Sequence, residues 1–163
     1  MLRLQRLYHR EARKCEKAKA YLAGCVMLGA ALEAGLVAMV HCFPDEAARA
    51  EGVPHVKGEV KPLLQWTLAE LLRVAKNVGW LPAGLQLAEA WDHKRAHIGD
   101  HAEVVRVLRN LVHPASFLSE HSGKRITSRH LAHAFEVLEV AQDHLHHKLI
   151  ESLRTTIEAE NGA

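Results

Sequence analysis

Two arginines, an amide and a histidine share one side of a short predicted helix beyond the middle of the chain. Arg106, Arg109, Asn110 and His113 belong to the segment RVLRNLVHP, residues 106–114. At about 100° per residue, these four positions fall within an arc of roughly 100°, and the opposite side is apolar. Guanidinium groups bind phosphate oxygens, and a neighbouring histidine can exchange a proton near neutral pH. The pattern predicts an anion or phosphodiester site, although a solvated face of an amphipathic helix has the same pattern.

The order of the four side chains along the helix suggests roles in RNA cleavage. His113 comes at the carboxyl end, where the helix dipole favours the imidazolium form, which can act as an acid. Arg109 and Arg106, one and two turns earlier, could stabilise the pentacoordinate phosphorus of a transition state. Asn110 could orient a ribose hydroxyl or a water molecule. The nucleophile in this chemistry is the 2′-hydroxyl of RNA, so we expect no metal and no cofactor.

The segment LRNLVHP, late in a helical chain of this size, resembles the HEPN superfamily (higher eukaryotes and prokaryotes nucleotide-binding domains). The signature of that family is an arginine, usually followed by a polar residue, and then a histidine after about four to six residues. Arg109 and Asn110 supply the arginine–polar pair, but only three residues separate Arg109 from His113. Arg106 has the longer interval, but Val107 follows it. The resemblance therefore leaves both arginines as candidates for the catalytic position.

The resemblance implies a HEPN-like helical bundle that forms a homodimer, with the motif helices of two subunits meeting at one composite site. It implies a metal-independent endoribonuclease of a toxin–antitoxin or defence system, with RNA as substrate and an antitoxin protein as a candidate partner. Other members of the family have lost catalysis. A non-catalytic dimeric module that binds nucleotides or proteins is therefore the alternative interpretation.

A basic stripe marks the N-terminal helix and is a second candidate for RNA binding. Its members recur at helical spacing: Arg3, Arg6, Arg10, Arg13 and Lys17. Such a stripe can follow the phosphates of an RNA backbone. The solvated face of an amphipathic helix has the same appearance, so the sequence leaves both interpretations open.

Histidines are the third feature, since the chain contains 13 of them. One group recurs about every four residues, the interval that stacks metal ligands on one helix face: Asp92, His93, His97 and His101. Gly99 interrupts this helix before His101, and no HExxH signature accompanies the group. A second group consists of His144, His146 and His147, with His130 and His133 upstream. We expect no dedicated metal site, and a histidine-rich metal-binding regulator remains the third interpretation.

Helical periodicity runs through nearly the whole chain and predicts the elements that must position these side chains. The chain has 163 residues, 48% of them apolar, which is enough for one domain with a proper core. We found no convincing strand pattern. The prediction is an all-α, single-domain bundle over residues 1–163 with about five to six helices, approximately 2–42, 62–78, 83–97, 101–112 and 128–159.

Charge and cysteine usage set the expected surroundings. The net charge of +2 argues neither for nor against nucleic acid, and three scattered cysteines without a CxxC spacing favour a reducing cytoplasm. We expect no signal peptide, because no small-residue cleavage site follows a suitable apolar core. The segment 20–40 has the length of a membrane span, with Glu33 as its only charge. Glu33 near its centre and several small residues favour a buried core helix and no membrane.

Overall fold

The computed structural model describes residues 2–81, 105–106, 109–110, 113 and 125–161. Five helices lie within these residues: α1 (Leu2–Lys17), α2 (Tyr21–Cys42), α3 (Pro44–Ala48), α4 (Leu68–Asn77) and α5 (Ser128–Asn161). A small antiparallel hairpin, β1 (His55–Val56) and β2 (Glu59–Val60), precedes a single 3₁₀ turn at Leu63–Gln65. The all-α class is confirmed. Predicted helix 83–97 lies outside the described residues, and predicted helix 101–112 is described only at four helical positions: Val105, Arg106, Arg109 and Asn110.

α2 is the central element of the bundle. It contacts α1, α3, α4 and α5, and four of its large apolar residues are almost fully buried: Leu28, Leu32, Leu36 and Met39. Burying such side chains contributes about 1.5–3 kcal/mol each. Among the described helices, α2 alone is long and apolar enough to cross a bilayer, and 61% of that stretch is buried inside the protein. The segment 20–40, which has the length of a membrane span, thus packs as the core helix of the bundle.

The predicted continuous helix 2–42 is wrong, because the chain turns between α1 and α2. Lys19 adopts a left-handed conformation with φ of 57°. The N–H of Ala20 donates to the carbonyl of Cys15 (2.8 Å), and that of Lys19 donates to Glu16 (3.0 Å). This is the hydrogen-bond pattern of a Schellman motif, which ends a helix and usually has glycine at the left-handed position. Because this position holds a lysine and not a glycine, the sequence contains no clear signal that the helix ends here.

The predicted helix 62–78 begins later than expected. Pro62 has an extended ψ of 132° and precedes the 3₁₀ turn, and α4 starts only after Thr67. The Thr67 hydroxyl accepts from the N–H of Glu70, and the Glu70 carboxylate accepts from the N–H of Thr67 (2.6 Å). Burial raises the pKa of Glu70, but hydrogen bonds from Thr67 and Lys61 outweigh it and lower the pKa overall. This capping box fixes the start of α4.

α5 closes the bundle against α2 and matches the predicted helix 128–159 to within two residues. Its buried face includes Leu131, Phe135, Leu138 and Leu145, whereas Leu153 is 62% exposed. The core side of α4 is formed by Leu68, Leu71, Leu72 and Ala75, whereas Leu64, in the 3₁₀ turn, is 81% exposed. Trp66 and Trp80 are also buried.

Candidate functional site

An ion pair to the central helix holds the arginine of the motif. The Arg109 Nη2 atom lies 2.7 Å from an Oε2 oxygen of Glu33, in the middle of α2. Both side chains are partly buried, with 32% of Arg109 and 25% of Glu33 exposed. A charge-assisted hydrogen bond of this length restrains the guanidinium more strongly than a solvated surface pair would. Glu33, the only charge in the apolar segment 20–40, is therefore the anchor of the motif.

A glycine one turn before Glu33 sets how closely the motif helix approaches α2. A Cβ placed on Gly29 would lie 2.5 Å from the Cβ and 2.8 Å from the Cγ of Arg109. The aliphatic stem of Arg109 thus lies directly on the α2 backbone, and its head reaches the carboxylate four residues further along. Any side chain at position 29 would push the motif helix away from α2.

A groove of about 240 Å³, which we call the motif groove, opens beside Arg109. Its lining comes from α1, α2 and the segment before α4: Leu4, Tyr8, Ala30, Glu33, Ala34, Val37, Leu63, Leu64, Trp66 and Arg109. Arg109 and Glu33 supply its charges, and Tyr8 and Trp66 supply aromatic surface. A guanidinium carries five N–H donors, and Nη2 makes the contact with Glu33. The exposed part of Arg109 can therefore meet an anion from this groove.

The other motif residues follow the same helix toward solvent. Arg106 and Asn110 are half-buried, and His113 is exposed. The N–H of His113 donates to the carbonyl of Asn110 (2.9 Å), a tightened last turn. On the opposite side Val105 is 1% exposed, which confirms the apolar side of the helix at that position. An imidazole that is accessible to solvent can exchange a proton with a bound molecule, and His113 is four residues after the restrained Arg109.

The amphipathic pattern predicts that the motif side points away from the core of its own chain, but Arg109 turns partly inward. Arg109 contacts Glu33 and Gly29 of the same chain, so its neighbours need not come from a second subunit. The pattern misled because it ranks residues by polarity, whereas a carboxylate on a facing helix gives an arginine a reason to turn inward. Glu33 and Gly29 are the site residues that sequence reasoning missed. The signal available was one carboxylate in an otherwise uncharged segment.

The basic stripe lies on a different side of α1 from the motif groove. All five members are exposed: Arg3, Arg6, Arg10, Arg13 and Lys17. Arg13 stacks on the ring of Phe135 at 3.8 Å and forms ion pairs with Glu16 and Glu139, both at 3.2 Å. The stripe therefore borders α5, whereas Leu4 and Tyr8 of the same helix face Arg109.

The remaining candidate groups give no further centre within the described residues. There, no three His, Cys, Asp or Glu side chains gather as metal ligands would. The predicted group Asp92, His93, His97 and His101 lies outside the described residues. In the second histidine group, the Nδ1 atom of His147 lies 2.8 Å from the carbonyl oxygen of Asp143 in the same helix. Burial raises the pKa of Cys25 to about 12, which keeps that thiol protonated and unreactive.

The Arg109–Glu33 contact should contribute measurably to stability. We expect a double-mutant cycle with Arg109→Ala and Glu33→Ala to give a coupling energy of about 1–3 kcal/mol, because the pair is partly buried and hydrogen-bonded. Lys148 and Glu46 form a matched control pair at 3.6 Å, with 37% and 33% of their side chains exposed. That cycle should give about 1 kcal/mol or less. Chemical denaturation of both sets measures the difference, and equal coupling energies would contradict the assignment of Glu33 as the anchor.

A scan of protein-family models, a search of curated proteins and a search of solved structures found no match. What the site can do is therefore inferred from its own residues.

Proposed function

We propose that this protein is a metal-independent endoribonuclease of the HEPN type, acting in the cytoplasm within a toxin–antitoxin or defence system. The observation that carries the proposal is the Arg109 guanidinium, held at 2.7 Å by Glu33 at the edge of a groove, with exposed His113 one turn further along the same helix. A preorganised cation stabilises the extra negative charge of a pentacoordinate phosphorus without having to reorganise during the reaction.

The proposed reaction is an internal transesterification of RNA. The 2′-oxygen bonds to the phosphorus and loses its proton to a base, and the bond from the phosphorus to the 5′-oxygen breaks as that oxygen takes a proton from an acid. The products are a 2′,3′-cyclic phosphate and a free 5′-hydroxyl. His113 takes one of the two proton-transfer roles, Arg109 or Arg106 stabilises the phosphorane, and Asn110 positions the ribose. The motif contains one histidine and the reaction needs both an acid and a base, so a second copy of the motif would supply the other role.

This need for two motifs favours a homodimer, and the rim of the groove offers a surface for one. Leu64 is 81% exposed and Leu4 is 37% exposed, and both line the groove beside Arg109. Large apolar side chains that are exposed beside polar groups can form the apolar core of a protein–protein contact. We propose that two copies meet across this rim, which would place two motif helices around one substrate.

The dimer contact can be tested by placing a charge on the rim. Leu64→Glu should convert a dimer into a monomer in light scattering at micromolar concentration and change the free energy of unfolding by about 0.5 kcal/mol or less, since Leu64 is already exposed. Leu153→Glu, at an exposed position far along α5, is the matched control and should leave the dimer intact. A parent protein that is strictly monomeric would overturn the two-motif arrangement.

The activity itself is tested by incubating the purified protein with single-stranded RNA in excess EDTA. We expect cleavage of RNA and none of DNA of the same sequence, because DNA lacks the 2′-hydroxyl nucleophile. Activity that appears only after a divalent metal is added would contradict the mechanism.

A second candidate function is a non-catalytic dimeric module that binds nucleotides or proteins. The observation that favours it is the ion pair itself, because the Glu33 carboxylate already neutralises part of the charge that Arg109 would offer to a phosphate. The short interval between Arg109 and His113 points the same way. RNA retained by the protein but recovered intact after long incubation in EDTA would favour this function over the first.

A further inference from the structure

A second pocket lies where α1, α2 and α5 meet, on another side of the bundle from the motif groove. It has a volume of about 330 Å³ and shares no lining residue with the motif groove. We call it the α1–α5 pocket. Its size falls at the lower end of the range for small-molecule sites, about 300–1,000 Å³. It is distinct from the proposed active site, and its interpretation does not rest on the proposed function.

The polar lining of the α1–α5 pocket carries cationic and amide groups and no carboxylate. It consists of Gln5, Arg6 and His9 from α1 and of Gln142 and His146 from α5. Among the described residues Arg6 forms no ion pair, unlike Arg13 of the same stripe, which contacts two glutamates. A guanidinium, two imidazoles and two amides together offer many N–H donors converging on one space. Such a set favours an anion with several oxygen acceptors.

The rest of the pocket lining is apolar and includes two small residues. It consists of Gly35, Ala38 and Met39 from α2 and of Leu145 and Leu149 from α5. A Cβ on Gly35 would lie 2.8 Å from Nε2 of Gln5, so the missing side chain lets that amide lie flat against α2. The rings of His9 and Phe135 pack edge to face, with the two centroids 5.5 Å apart. Packing against α2 and α5 thus restrains Gln5 and His9.

We propose that the α1–α5 pocket binds a small organic phosphate, a phosphate monoester carrying a compact apolar group. Arg6, His9 and His146 would take the phosphate oxygens, because a guanidinium makes strong charge-assisted hydrogen bonds to such an anion and an imidazole ring can add an N–H donor. The apolar group would lie against Met39, Leu145 and Leu149, where its burial adds affinity. The combination selects for a ligand with both parts.

The test uses phenyl phosphate as the probe, with inorganic phosphate and phenol as its two halves, measured by titration calorimetry on the full chain. Phenyl phosphate should bind more tightly than either half, and the ring resonances of His9 and His146 should shift in NMR spectra of histidine-labelled protein. Arg6→Gln and His146→Gln should each weaken binding about tenfold or more.

Matched controls separate a built site from general positive charge. Arg10→Gln removes a charge from the same stripe, and His147→Gln removes the neighbouring exposed histidine of α5, yet neither residue lines the pocket. Both should bind phenyl phosphate like the parent. Ala38→Leu, which adds bulk to the lining, should also weaken binding. Equal losses in Arg6→Gln and Arg10→Gln, or no binding of phenyl phosphate, would overturn the proposal.

Discussion

Without metal, the His113→Ala variant should cleave RNA about 10²–10⁴-fold more slowly than the parent, which is the typical effect of removing a general acid or base. The same substitution should change the free energy of unfolding by about 0.5 kcal/mol or less, because His113 is exposed. A fold that is intact together with an activity that is lost would separate a chemical role from a structural one. Cleavage kinetics in EDTA and chemical denaturation measure the two effects.

The control for this variant is His147→Ala, which removes another exposed histidine, on α5. The ring of His147 bonds the carbonyl of Asp143, and His147 does not line the motif groove. Its cleavage rate should equal that of the parent. If His113→Ala cleaves RNA as fast as the parent, the histidine is not the acid or base. If it unfolds the protein, its role is structural.

The Gly29→Ala variant should reduce cleavage about 10²-fold without removing any group that carries out the reaction. The new Cβ would lie 2.5 Å from the Cβ of Arg109, so the motif helix must shift by about 1 Å to restore ordinary contact. Misplacing a catalytic group by that distance typically costs about 10²-fold in rate. Overpacking costs about 1–3 kcal/mol of stability, and the better helix propensity of alanine offsets about 1 kcal/mol.

The matched control is Gly24→Ala, five residues earlier in the same helix. Its Cβ would meet the Cδ atoms of Leu131, at 2.7 and 3.0 Å, and the Cβ of Cys15, at 3.4 Å, so it crowds α5 and α1 and not the motif helix. At Gly29, by contrast, the nearest atom is the Cβ of Arg109. Because a Cβ is bonded directly to the backbone, it can move away only if the motif helix moves. Full activity in Gly29→Ala would show that the close approach of the motif helix to α2 has no part in the site.

Much of the fold could be predicted from the sequence because periodicity reports burial directly. The apolar spacing of α5 predicted the bounds of that helix to within two residues, and the apolarity of the segment 20–40 predicted a helix buried in the core. The end of α1 could not be predicted in the same way, because a lysine takes the left-handed position at residue 19 where glycine is the usual signal. The start of α4 was available from the sequence, since Thr67 and Glu70 form the spacing of a capping box.

The site was predicted only in part, because its residues come from distant parts of the chain. The side chains of the motif could be grouped from their spacing alone. Their partner Glu33 is 76 residues before Arg109, and no local pattern connects the two. Its lone charge in an apolar helix argued against a membrane span, but the same charge also required a partner, since a buried carboxylate is costly without one.

The most direct test of the central claim uses a DNA oligonucleotide that contains a single ribonucleotide, incubated with the protein in EDTA. The proposed mechanism predicts one cut, on the 3′ side of the ribose, leaving a 2′,3′-cyclic phosphate on one fragment and a 5′-hydroxyl on the other. Mass spectrometry of the fragments identifies both ends. Cleavage at a deoxyribose, a 5′-phosphate on the product, or an intact oligonucleotide under conditions where the protein binds it would contradict the claim that the motif of Arg109 and His113 cuts RNA.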